Sequence, residues 1–364
     1  MDALPVAEPI AAPPGVQLTD FCVRGFRAFE ELPIRQLGRV NLFVGKNNVG
    51  KTSLLEALHF YAAGATPAAL VELLTRREEV STSGVRWRGM DPEARSAIIG
   101  RIFNAPANGE QLGEMVLGPS AERERQLSVR RGWIDVQHND DGASQTVFSS
   151  TAFETPLGEE YPALQVRLGD VHRRFIRESN LFTYSRSADS ESRILPSTYV
   201  PAFGLEAAEI GVRWSKVALT DLEELVRDAL RIIAPDVERL SLLGDPDGSR
   251  EQKMVVRLTG RAAPVPLRSL GDGMGRLLNI SLSLVNAQRG LLLLDEVENG
   301  IHYSVQSDMW TMILNAAEPS TFKCSPPRTA GIVSAPLRSR RQVPRVYMGC
   351  FTAWNASAMV QSAT

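Results

Sequence analysis

The sequence predicts an α/β protein with a parallel-rich sheet and an inserted mixed α/β sub-domain. Three observations carry this. A short apolar run at residues 39–44 leads through a Gly-containing loop into a stretch with helical apolar spacing, residues 52–63. A second run, residues 291–294, is wholly apolar, follows a helical stretch at 273–287 and ends in Asp295-Glu296. Between these lobes, residues 66–195 show no clear helical period and carry turn and charge clusters.

The bulk properties bound the reading. With 364 residues the chain is long for one compact domain and short for three, and 43% hydrophobic content is enough for a sizeable core. The 40 basic and 42 acidic residues give no overall electrostatic pull toward DNA or an anionic membrane, which leaves only a local basic patch for such a partner. Cys22, Cys324 and Cys350 are too few and too scattered for a disulfide framework or a zinc site, which fits a reducing, cytoplasmic compartment. No stretch approaches the ~20 apolar residues of a membrane helix, so no membrane partner is expected.

Along the chain, residues 1–15 are rich in Ala and Pro, lack a signal-peptide pattern and read as a disordered leader. Residues 16–65 form the first lobe. Residues 16–21 alternate as a half-buried strand does, and 23–29 continue as its hairpin partner. Residues 66–195 are expected to be a regulatory insertion, mainly β or mixed. Its charge-dense stretch with Arg123, Arg125, Arg130 and Arg131 reads as a solvated face, and Asn139-Asp140-Asp141-Gly142 as a turn. Residues 196–317 form the second lobe. There Thr220 or Asp221 caps a helix whose apolar stripe is Leu222, Leu225, Val226, Ala229, Leu230 and Ile233. Strands are expected at 237–243 and 254–258, around the turn Gly244-Asp245-Pro246-Asp247-Gly248.

The loop Gly45-Lys46-Asn47-Asn48-Val49-Gly50-Lys51-Thr52 fits G-x-x-x-x-G-K-[ST] in full and lies between an expected strand and an expected helix. Its glycines allow torsions that let successive amide N–H groups wrap phosphates, and the helix start adds a positive end. Lys51 would reach the β- and γ-phosphates, and the Thr52 hydroxyl would ligate magnesium. Gly45, Asn47, Asn48, Val49, Gly50, Lys51, Thr52 and Ser53 are therefore the expected nucleotide-binding set, with ATP and Mg²⁺ as ligands. At the end of the second apolar run, Asp295 is assigned to magnesium and Glu296 to activation of the attacking water. Just upstream, Ser269-Leu270-Gly271-Asp272-Gly273 opens a helix.

In this order the elements resemble the ABC/SMC superclass of P-loop NTPases, and more narrowly the bacterial RecF/OLD-like AAA-family ATPases. Phe26-Arg27-Ala28-Phe29 is similar to their N-terminal strand. Asn47 falls on their G-x-N-x-x-G-K-T asparagine, and residues 295–302 match their DE-x-E-x-G-[LI]-H segment. The resemblance covers residues 16–63 and 267–313. It implies an ABC/SMC-like head that sandwiches ATP in a head-to-tail homodimer. Ser269, Gly271 and Gly273 would then be the signature that binds the γ-phosphate held by a second subunit. It also implies a phosphate contact from Arg24 or Arg27, and a structural or interface role for His302. DNA, or an effector nuclease, in repair or phage defence is the partner it suggests. No long heptad run separates the halves, so coiled-coil arms are not expected.

Residues 318–364 break the pattern. The family continues with a helix, a buried strand and a switch histidine, whereas this tail scatters Pro, Arg and Ser and shows no hydrophobic strand. Permitted codons for residues 319–334, read one frame over with wobble bases chosen freely, yield an apolar strand followed by Thr-Thr-His-Ser. That resembles the family's switch segment. A frameshift near Ala317 is the expectation, with the last core strand missing, a ladder edge exposed, and folding or hydrolysis impaired. Two functions follow: ATP hydrolysis in a dimer, or an ATP-dependent switch or binding module with little turnover. The lack of an Asn-Lys-x-Asp element disfavours a GTPase.

Overall fold

The computed structural model describes residues 18–317 except 81–86, 88, 105–112, 139–143, 152–157, 171, 184–192, 245–251 and 288–289, together with the backbone of two strands at 330–336 and 347–350. The leader, the turn at 139–142, residues 245–248 of the second turn and the junction near residue 318 lie outside the described residues.

The chain opens with a hairpin. Strands β1 (Phe21–Phe26) and β2 (Phe29–Ile34) pair antiparallel with Phe26 opposite Phe29. Arg27 and Ala28 form the turn, and Arg27 takes φ 47, the positive value a tight two-residue hairpin needs. The first strand thus starts at Phe21 rather than ending there. Phe21, Val23 and Phe26 are its fully buried positions and fix where it packs. Next come β3 (Val40–Gly45), α1 (Lys51–Ala62), α2 (Pro67–Arg76) and α3 (Pro92–Gly100). Thr66 caps α2 by accepting from the Ala69 N–H, with Pro67 at the first position, where a missing N–H does no harm.

Strands β4 (Glu114–Gly118), β5 (Leu127–His138), β6 (Ser144–Ser149), β7 (Glu159–Leu168) and β8 (His172–Arg177) join the hairpin in one antiparallel sheet. Its order is β2-β1-β4-β5-β7-β8, with β6 on β5. This corrects the expectation of a parallel-rich architecture. The inner face of this sheet, including Met115, Leu117, Val129, Leu164 and Ile176, packs in one core with Leu54, Leu55 and Leu58 of α1. The region expected as an insertion therefore shares its core with the first lobe. Arg125 pairs with Glu122 and Arg130 with Glu114 at the surface, whereas Arg131 departs from the expected solvated face and pairs with the buried Glu178.

The second half contains β9 (Ser197–Val200), α4 (Ala207–Ser215), α5 (Leu222–Arg231), β10 (Val237–Gly244), β11 (Gln252–Leu258), β12 (Val265–Pro266), α6 (Asp272–Asn286), β13 (Leu291–Leu294) and α7 (Tyr303–Ala317). Thr220 Oγ1 accepts from the Leu222 N–H at the start of α5, and Val226, Ala229 and Leu230 are buried on its inner side. Strands β10, β11 and β12 form a small antiparallel sheet.

The central sheet has the order β15-β3-β14-β13-β9, where β14 is Ala330–Pro336 and β15 is Tyr347–Cys350. Four of these strands are parallel and β15 runs against β3. The tail was expected to leave the last core strand missing. Instead β14 fills the slot between β3 and β13, with Ile332 opposite both Asn41 and Leu293. The physical reason is that two buried strands with facing ladders need a partner for every N–H and C=O between them. Strand β13 divides the molecule: Leu291 and Leu293 face the α1 core, while Leu292 and Leu294 face a second core with Met274, Leu277 and Leu278 of α6. Alternation at period two puts a leucine on both faces, which is why the run is unbroken.

Candidate nucleotide-binding site

Strands β3 and β13 are both parallel to the intervening β14, so their carboxyl ends emerge on one edge of the sheet, where ligands of open α/β folds bind. From β3 the chain enters the phosphate loop. Asn48 has φ 63 and Gly50 has φ 97, so the loop bends twice through left-handed backbone. Gly50 is the N-cap of α1 and no side chain caps this helix start. Its first-turn amides are thus available to an anion, in the field of the helix dipole. A side chain at Gly50 is excluded on a second count, since a Cβ there would lie 2.7 Å from the Phe29 ring.

Lys51 donates from Nζ to the carbonyl oxygens of Gly45 (2.8 Å) and Lys46 (2.9 Å), which holds its ammonium in the mouth of the loop. Thr52 donates from Oγ1 to Asp295 Oδ2 at 2.8 Å, across 243 residues of sequence. Asp295 is buried, at 2% exposure. A hydroxyl and a carboxylate side by side at the end of a phosphate loop suit a hard cation, and Mg²⁺ characteristically takes one or two such protein oxygens plus phosphate oxygens. No cluster of three or more His, Cys, Asp or Glu occurs among the described residues, so Thr52 and Asp295 are the protein groups that would hold it. One residue on, Glu296 takes φ 45, and its Oε2 accepts from Asn299 Nδ2 at 2.6 Å.

The chain is similar to several known proteins. Residues 163–319 match the family model described as an AAA domain, putative AbiEii toxin, Type IV TA system. An ATP/GTP phosphatase of Helicobacter pylori is 22% identical over 303 residues, covering 78% of this chain and 76% of that protein. The DNA replication and repair protein RecF of Lactobacillus johnsonii is 51% identical over 45 residues, 12% of either chain. The chain is thus similar to ABC/SMC-like P-loop proteins. Among solved structures, an SMC head bound to the C-winged helix domain of ScpA aligns over 94% of this chain and 99% of that one, at 13% identity and a TM-score of 0.46.

In this chain the expected residues do not all meet. Gly45 to Ser53, Asp295 and the start of Glu296 converge at one sheet edge. The Arg27 guanidinium is buried and paired with Glu56 (3.0 Å) and Glu79 (2.9 Å), and its Nη2 has no hydrogen-bond partner among the described residues. Arg24 pairs with Glu31 at an exposed site. Ser269, Gly271 and Gly273 stand at the start of α6, whose core lies across β13 from that of α1. Ser269 Oγ donates to the Pro266 carbonyl at 2.6 Å and Gly271 has φ 97. His302 is exposed, with Nδ1 2.8 Å from Ser304 Oγ and its ring beside Tyr303.

Two arginines were missed. Arg77 donates to Ser53 Oγ (3.0 Å) and to Glu56 (2.8 Å), which buttresses the helix start from behind. Arg276 is 5% exposed on α6 and donates to main-chain carbonyls around Asp295. Burial lowers its pKa, while Asp295, Glu298 and Glu296 work against that shift. Its sequence signal was a lone arginine inside an apolar helix.

Proposed function

We propose that the chain binds Mg-ATP on residues 45–53 and hydrolyses it in a head-to-tail homodimer, in the service of DNA repair or phage defence. The observation that carries this is the Thr52–Asp295 hydrogen bond, because it joins the phosphate loop to the acidic strand end in the arrangement the chemistry requires. When bound, magnesium would neutralise charge on the β- and γ-phosphates. The loop amides and the Lys51 ammonium would bind the phosphate oxygens and hold the γ-phosphorus in line. Glu296 would orient a water and take its proton on a carboxylate oxygen. Asn299 fixes that carboxylate by its hydrogen bond to Oε2. The match to an ATP/GTP phosphatase supports nucleotide hydrolysis, and the short match to a RecF protein supports a link to DNA.

One observation favours a second reading, a switch with little turnover. The register sets Ser334, Ala335 and Pro336 opposite Phe43, Val44 and Gly45, at the strand end beside the loop. The expected switch histidine falls at the junction of the codons for Arg328 and Thr329, ahead of this segment, and no histidine stands anywhere in residues 328–336. The two readings separate in a single experiment: steady-state phosphate release from ATP by the full chain with Mg²⁺, with Lys51→Ala as control. Turnover abolished in Lys51→Ala supports the hydrolase. ATP-dependent dimerisation with phosphate release equal to the control selects the switch. Failure to bind ATP at all overturns both.

A further inference from the structure

We infer that Arg276 is the positioning residue that holds Glu296 in place and ties it to the signature helix α6. The inference rests on the reading of Glu296 as the water-orienting carboxylate.

Around Arg276 the buried side of α6 is apolar, with Met274, Leu277, Leu278 and Ile280 at or below 1% exposure, and the other buried polar residues of the helix, Asn279, Ser281 and Ser283, are uncharged. A guanidinium in such a face is unfavourable unless its donors are satisfied. Those of Arg276 go to main-chain oxygens. Nη1 donates to the Pro201 carbonyl at 2.9 Å, Nη2 donates to the Glu296 carbonyl at 2.8 Å and to that of Asp295, and Nε reaches the Val297 carbonyl at 3.5 Å. Three consecutive carbonyls of the turn leaving β13 thus converge on one side chain. That turn contains Glu296 at φ 45, a left-handed conformation that is uncommon and costly for a residue other than glycine. The planar fork of arginine can span these acceptors, and the single ammonium of a lysine cannot.

The far end of the same turn is also tied to α6. A Cβ on Gly273 would lie 3.1 Å from the Gly300 carbonyl, and one on Gly300 would lie 3.4 Å from Asp272 Cβ. The signature start therefore touches Gly300 while Arg276, one helical turn further along, grips residues 295–297. Glu296 sits between two anchors on one helix. A shift of α6 when its N-terminus engages nucleotide on a second subunit would move both anchors, and Glu296 with them.

The test uses the full chain as Arg276→Lys, with Gly300→Ala as a second variant that strains the far anchor (φ 73) without touching the buried guanidinium. Amide hydrogen exchange is followed at residues 295–301 and on α1, alongside ATP titration and turnover. Both variants should exchange faster at 295–301 and unchanged on α1. They should bind ATP like wild type and lose roughly tenfold or more in kcat, the scale of one lost charge-assisted contact. Arg276→Lys added to Glu296→Gln should slow turnover no further, because the two act as a unit. Unchanged exchange at 295–301 in Arg276→Lys, or a kcat loss that adds in full to that of Glu296→Gln, overturns the inference. A wild-type chain that binds ATP without turnover removes the hydrolase reading instead, and the exchange data still decide whether Arg276 holds the turn.

Discussion

Gly50 shows how much of the site was legible at the level of single residues. The motif names it, and the structure gives two independent reasons for it, a φ of 97 and the Phe29 ring 2.7 Å from any Cβ. Gly50→Ala is expected to destabilise the chain by about 1–3 kcal/mol through backbone strain and to abolish nucleotide binding, as thermal unfolding and nucleotide titration would read. Asp295 was legible for the same reason: motif spacing and strand ends constrain it. Asp295→Asn keeps an acceptor for Thr52 but removes the charge. The Mg²⁺-dependent part of ATP affinity should then vanish, so that titrations with Mg²⁺ and with EDTA coincide. The ion pairs of Arg27 were not legible, because its partners Glu56 and Glu79 lie 29 and 52 residues on. Arg276 escaped because an arginine satisfied by carbonyls leaves no partner to find in the sequence.

Among the elements, β13 was the most readable, since four leucines in a row can only be a segment buried on both faces. Leu293→Ala, at a fully buried site, is expected to lower stability by about 2–5 kcal/mol in chemical denaturation. The antiparallel sheet was hidden because its strands bury one face and solvate the other. In β8, His172-Arg173-Arg174-Phe175-Ile176-Arg177, only Ile176 is fully buried. The tail was misread in the opposite sense. Gly331-Ile332-Val333 is short and flanked by Pro and Arg, yet it takes the one position where two buried ladders face each other. Deleting residues 318–364 should therefore lower the Tm sharply or drive aggregation through the facing edges of β3 and β13. A truncated chain as soluble and stable as the full one would contradict this placement of β14. The frameshift proposed near Ala317 has its own check, the gene sequence through the codons for residues 314–334.

For the whole molecule, β13 separates two cores, with the phosphate loop's helix on one side and the signature helix on the other. Under the proposed head-to-tail pairing, one chain would carry the two halves of a composite site on different faces. Lys51→Ala and Ser269→Arg are each expected to be inactive alone. Mixed in equal amounts they should regain part of the turnover, because one composite site per pair is then intact; no recovery would argue against sharing. The most direct measurement is of Glu296→Gln against wild type, with ATP turnover, ATP affinity and mass by sedimentation taken on the same samples. Turnover should fall about 100-fold or more, the usual contribution of a general base, while affinity holds and ATP keeps the variant dimeric. Hydrolysis at the wild-type rate in Glu296→Gln would contradict the assignment of the carboxylate at the end of β13, and with it the proposed mechanism.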